Sequence, residues 1–325
     1  MHPRLLVLLP LIAVPWLFAD EPAFDAGRPF SIVVHGDSLL VGTRSGLVRI
    51  DLRSRKVASR LRLGDNNVAM AALGDRVALL GDDELVTVDA GSGKEIARRK
   101  VGISAGDVVL LPDRRRASVA CLWPRQVWLL DVEDGSVVKI DLPFAPKKQI
   151  LSPDGSRLVV ADAFAGKIAL IDVDRKSLLS VRALQDVHNI RGLAWSRDGR
   201  WLWMTHQNLH KEGHPNATDV RAGGVVSNHL RKLAATSVLD PRVEIIRDEI
   251  IYTLGDIEHG AGDPADVLEL PDGRLVVALA GVGEVAIGRP QQVLWNRVAV
   301  GRGPEALAVV GDSVFVAERF DDRVA

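Results

Sequence analysis

Short, β-branched apolar runs alternate with polar turns along almost the whole chain. RLVVADA (157–163), KIALIDV (167–173) and RLVVALA (274–280) are examples. Runs of this length and composition, bounded by Gly, Asp and Pro, are strand signals. The turns between them repeat: HGDS (35–38), LGDR (73–76), LPDR (111–114), SPDG (152–155), SRDG (196–199), LPDG (270–273) and VGDS (310–313). Asp and Gly tolerate the positive φ of tight hairpins, and Pro presets φ at the first turn position. The turn aspartates are spaced 38, 38, 41, 44, 74 and 40 residues apart, so one interval is long by nearly a whole unit. A second Asp follows each early turn, at Asp51, Asp89, Asp131 and Asp172, where a strand should end.

Units of ~40–45 residues with four strands each have the period of propeller blades. The repeat predicts an all-β fold, a seven-bladed β-propeller with four-stranded blades, over residues 29–325. A solenoid or a sandwich competes, but a sandwich does not predict such even spacing of similar hairpins. The unit at 147–184 serves as template, with strands KKQILS, RLVVADA, KIALIDV and SLLSVRAL in order from the innermost outwards. Loops between the second and third strands then share a face with the connections from one blade to the next. Ala325 falls where the third strand of the last blade should be. DEPAFDAG (20–27) reads as too short and polar to supply the fourth, so the last blade is expected to be incomplete and the natural protein to continue.

The long interval contains THQNLHKEGHPNATD (205–219), within an insertion in the fifth blade at about 205–255. The equivalent loops elsewhere are short: TRSG (43–46), LWPRQ (122–126), AFAG (163–166) and AGVG (280–283). Long irregular loops in compact domains tend to carry function. His206, His210 and His214 are spaced four apart, which on a helix would form one stripe of imidazoles able to bind a divalent metal. Gly213 weakens such a helix and Pro215 would end it. The competing reading is a polar docking lid. Blade geometry gathers His188, Asn189, Asn208, Glu212, His259, Asp263, Glu305 and Glu318 on the same face as this loop.

Composition narrows the function classes. The formal net charge is −1 over 325 residues, which leaves no electrostatic footprint for nucleic acid. Arg4, then the uncharged run Leu5–Phe18 and Ala19 before Asp20-Glu21, read as a secretory signal peptide over 1–19, with a short linker over 20–28. Leu17, large for the position it holds before the cleavage site, leaves an uncleaved anchor as the alternative; after cleavage no stable membrane insertion is expected. Cys121 is the only cysteine, so the chain holds neither a disulfide nor a CxxCH haem-attachment motif.

The units resemble the YVTN-type propeller repeat of exported bacterial proteins, at Val159-Val160-Ala161-Asp162 and Phe315-Val316-Ala317-Glu318. THQ (205–207), VVSNHLRKL (225–233), GDPADVLELPDGRLVVALAGVGEVAIG (262–288) and VGRGPEALAVVGDSVFVAERFDD (300–322) resemble, more narrowly, the propeller half of exported proteins in which a c-type cytochrome, peroxidase-like domain follows. That resemblance implies a periplasmic or secreted electron-transfer context, with a cytochrome domain or redox protein as partner. Haem would enter only with such a following domain. The first expectation is therefore a non-catalytic scaffold or binding propeller. The alternative is a lactonase-type propeller hydrolase, in which His206, Asp263 and Glu318 would hold a metal or act as base.

Overall fold

The computed structural model describes residues 24–25, 27–81, 83–102, 104–256, 259–292 and 295–325. The expected leader and most of the linker lie outside the described residues. After β1 (Phe24–Asp25) come β2 (Pro29–His35), β3 (Ser38–Thr43), β4 (Gly46–Asp51) and β5 (Lys56–Arg62). The next sheets are β6 (Ala69–Leu73), β7 (Arg76–Leu80), β8 (Glu84–Asp89) and β9 (Glu95–Lys100), then β10 (Ala105–Leu110), β11 (Arg116–Cys121), β12 (Gln126–Asp131) and β13 (Val137–Asp141). A longer array follows: β14 (Pro146–Leu151), β15 (Arg157–Asp162), β16 (Ala165–Asp172), β17 (Ser177–Trp195), β18 (Trp201–Leu209), α1 (Ala217–Arg221), β19 (Val226–Ala234), α2 (Ala235–Leu239) and β20 (Ile250–Thr253). The chain finishes with β21 (Pro264–Glu269), β22 (Leu275–Leu279), β23 (Glu284–Gly288) and β24 (Asn296–Ala299), then β25 (Pro304–Val310), β26 (Ser313–Glu318) and β27 (Arg323–Val324).

These strands form six antiparallel meanders. Five are four-stranded and one, β14 to β20, has seven strands. The seven-stranded sheet arises because the 19-residue β17 pairs with β16 through its first half and with β18 through its second. Burial explains the sequence pattern across each sheet. In the first sheet β3 is buried at every position, whereas β5 is mostly exposed, so apolar runs mark the middle strands and mixed charged runs the outer ones.

Four of the seven turn aspartates are local acceptors, and none of the seven takes the positive φ that the sequence suggested. Asp113, Asp154, Asp198 and Asp272 each take a backbone N–H two residues on, at 2.9–3.0 Å. Gly155, Gly199 and Gly273 complete three of these turns at φ of 72°, 69° and 79°. The second set does the same at the end of the third strand, with Asp51, Asp89, Asp131 and Asp172 accepting from Ser54, Ser92, Glu133 and Arg175 at 2.7–2.9 Å.

The sheets pack side by side. The inner strands contact one another in the order β2, β6, β10, β14, β17, β21 and β25, and β25 contacts β2. Apolar clusters fill the gaps; the one joining the last sheet to the first holds Ile32, Leu39 and Val41 with Ala306, Ala317 and Val324.

Two expectations are corrected. The last sheet does not lack its fourth strand, because β1 pairs with β27 through Phe24↔Val324 and Asp25↔Arg323. Two residues suffice because β27 is equally short. The expected insertion at 205–255 is also mostly regular structure. β18 and β19 pair without interruption from Trp201↔Ala234 to Leu209↔Val226, so only 210–225, with the single turn of α1, forms the loop. The next strand, β19, starts at Val226.

Candidate functional site

Six of the inner strands carry a register irregularity, near their first residues or, in β17, at the start of its second half: between Pro29 and Ser31, Ala105 and Asp107, Pro146 and Lys148, His188 and Gly192, Pro264 and Val267, and Pro304 and Ala306. Bulges re-aim side chains and are common beside functional sites. Here they bring Lys148, Arg191, Asp107, Asp266 and Glu305 onto one enclosed cavity of ≈ 180 Å³. It opens into a funnel of ≈ 880 Å³ whose lining adds Asn189, Asp263, Lys147 and Arg319.

Arg191 organises the mouth. One guanidinium nitrogen pairs with Asp263, and the other spans both oxygens of Glu305 at 2.7 Å. Burial opposes its charge, and Glu305 and Asp263 more than offset this, so its pKa is raised. Asn189 donates to Gln207 at 3.0 Å and to Asp263 at 3.3 Å. Asn189 and Asp263 are both left-handed, at φ of 47° and 52°. Non-glycine residues in that region store strain, and such residues cluster at functional sites.

Below them, Asp107 accepts from the Gln149 N–H at 2.8 Å and Asp266 from the Leu307 N–H at 2.9 Å. Each carboxylate thus ties its inner strand to the next. Burial raises both pKa values. Lys148 is held charged chiefly by Asp107, against burial. Lys147 is pushed the other way, by burial first and then by the Arg191 and Lys148 charges.

The histidines belong to a separate place. His206 lies on β18, 1% exposed, its ring stacked on His229 of β19 with centroids 5.4 Å apart. Its Nδ1 is 3.1 Å from the Gln207 carbonyl, so Nδ1 carries the proton and Nε2 is left without a partner. Burial lowers its pKa to about 3. Burial likewise lowers that of His229, whose Nε2 is 2.7 Å from Ser227 Oγ. The same hydroxyl is 2.9 Å from His210 Nε2.

The structure therefore divides the sequence-predicted residues. Asn189, Asp263 and Glu305 meet at the funnel. His188, Asn208, His210 and Glu212 line a side pocket of ≈ 490 Å³ beside the β18–β19 hairpin. Glu318 is fully buried, accepts from the Gly301 N–H at 2.6 Å and pairs with Arg323. His259 is exposed, 3.3 Å from Asp256. His206, His210 and His214 do not form the expected helical stripe. β18 ends at Leu209 and buries His206 within it, while His210 and His214 sit exposed in the loop beyond it. Among the described residues no three His, Cys, Asp or Glu side chains are grouped to hold a metal ion.

Sequence reasoning missed Arg191, Lys147, Lys148 and His229. The available signal was position: Lys147 and Glu305 follow the proline that opens an inner strand, at APKK and GPEA.

No family model matches the sequence, and no curated protein matches it. Solved structures do. A chain of Kuenenia stuttgartiensis hydrazine synthase is similar at 21% identity and TM-score 0.79, covering 95% of this chain and 98% of that one. The β-propeller domain of Myceliophteria thermophila Cps50 (Swd1) is similar at 15% identity and TM-score 0.69, over 94% and 98%. A catalytically inactive virginiamycin B lyase from Staphylococcus aureus, with quinupristin, is similar at 10% identity and TM-score 0.68, over 92% and 94%. At these identities the likeness shows the fold alone: the chain is a β-propeller.

Proposed function

We propose that this chain is an exported, periplasmic or secreted, non-catalytic binding propeller of seven blades, and that it is the platform on which a c-type cytochrome partner docks in an electron-transfer protein. The blade count takes the first half of β17 as the outer strand of one blade and its second half as the inner strand of the next. One observation carries the docking role. The β18 and β19 strands have nine residues each, against eight or fewer in the equivalent strands of the other sheets, and their hairpin exposes Leu209 and, on α1, Val220 at 45% and 58%. An apolar tip on a projecting hairpin suits a partner better than it suits solvent. The match to a hydrazine synthase chain over nearly its whole length fits a redox setting.

Immobilised chain should retain a haem protein from a periplasmic extract, read by Soret absorbance and covalent-haem staining. A variant with 210–225 replaced by a Gly-Gly turn should not. Retention of no haem protein, or equal retention by the shortened variant, overturns the reading.

A lactonase-type hydrolase is the second reading, favoured by the left-handed Asn189 and Asp263 at the channel mouth. Lactone turnover, with or without added divalent metal, that disappears in Asp263→Ala would replace the first reading with this one.

A further inference from the structure

We propose that the funnel over the central channel binds a small organic polyanion of the polycarboxylate class. Its lining holds six cationic side chains, Arg28, Arg44, Lys147, Lys148, Arg191 and Arg319, against two carboxylates, Asp263 and Glu305. The whole chain carries a formal charge of only −1, so this is a local concentration and not a generally basic surface. Both funnel carboxylates are committed to Arg191. Arg319 reaches Glu305 only at 3.8 Å, and Arg44 bonds the neutral Asn66. Among the described residues no hydrogen bond or ion pair engages the ammonium of Lys147 or Lys148. Cations held together in a concave, low-dielectric site repel one another and focus the field on anything anionic that enters.

The shape of the site selects the class. The cations come from β14 and β17 and from residues next to β2, β3 and β26, around a space of ≈ 880 Å³, within the usual size of organic ligand sites. Carboxylates on a carbon skeleton can reach cations on several of these segments at once, which one inorganic oxyanion does less well. Phe30 and Phe320 give that skeleton apolar walls, and Phe320 is 63% exposed at the rim. The site is independent of the hairpin tip on which the docking role rests.

Calorimetric titration of the full chain with citrate at low ionic strength tests this. Saturable one-to-one binding that weakens with added salt is expected, with inorganic phosphate at least about tenfold weaker. Removing one charge-assisted contact, by Lys147→Gln, should weaken citrate about tenfold. Lys147→Arg should restore most of it, and Arg242→Gln, outside the funnel, should change nothing. Circular dichroism and melting temperature establish that each variant is folded, and Arg319→Gln replaces Lys147→Gln if that variant is not. No saturable citrate binding, equal affinity for phosphate, or unchanged affinity in the folded charge-removing variant overturns the proposal.

Discussion

His206 shows how register decides the chemistry of a residue. Opposite His229 on a two-stranded ladder, it is buried and neutral, with Nε2 unpartnered. Its folded pKa, about 3, lies below the 6.5 of an unfolded imidazole. The unfolded state therefore binds the extra proton as pH falls through 6.5, and the folded state does not until pH nears 3. Stability is complete above the unfolded value and is lost progressively below it. Between pH 7 and pH 4 this one group should cost about 3 kcal/mol. Urea midpoints measured across that range should fall steeply in the wild type and distinctly less in His206→Phe; parallel slopes would show that His206 does not titrate in this way. A spacing of four in the sequence suggested a helix because no local pattern announced the cross-strand partner. His229 lies 23 residues further on, and pairing at that distance is fixed by the hairpin's register. Asn189, Asp263 and Glu305 were legible because they lie at the joins from one blade to the next, at or just before the start of an inner strand if the second half of β17 is taken as one, which any propeller places on one face. Arg191 and Lys148 lie inside inner strands, and only the irregularities between His188 and Gly192 and between Pro146 and Lys148 turn them towards the channel.

At the scale of elements, the repeat made the hairpins legible because four of the seven turns carry their own acceptor. Asp154 and Asp198 fold their turns without help from distant residues. Elements fixed by non-local pairing were harder to read. β1 has two residues and no periodicity, and α1 is one turn, capped by Asn216, whose side chain takes the Asp219 N–H at 2.9 Å. α1 buries no residue, so the loop of 210–225 contributes contacts at its own surface and little to the core. Replacing 210–225 with a Gly-Gly turn should therefore change stability by no more than about 0.5 kcal/mol, a shift of a degree or two in melting temperature. Scanning calorimetry would show a drop of many degrees if the loop instead clamps β18 to β19. The same variant removes the exposed Val220, so a folded chain with lost partner capture separates docking from stability.

For the whole molecule, the question is whether the sheets open together or singly. Repeat architectures share their interfaces with neighbours, and a ring has no free end only while its last sheet is complete. The residues that complete it are few: the two β1–β27 pairs, the Gly27 N–H to Asp322 carbonyl bond at 3.1 Å, and the Arg28 N–H to the Asp322 carboxylate at 2.7 Å. Their loss should cost about 1–2 kcal/mol at net hydrogen-bond strengths. Cys121 can report that cost from a different sheet. It is fully buried on β11, and burial pushes its thiol up to about 11, so the native protein offers neither access nor thiolate at neutral pH. Alkylation must wait for an opening that exposes β11. If the ring unfolds as one unit, deleting residues 1–28 raises the population of that opening, and the labelling rate of Cys121 should increase about 5–30-fold in proportion. If each sheet opens alone, removing a strand that pairs only with β27 leaves the rate at Cys121 unchanged, because β1 belongs to a different sheet from β10 to β13.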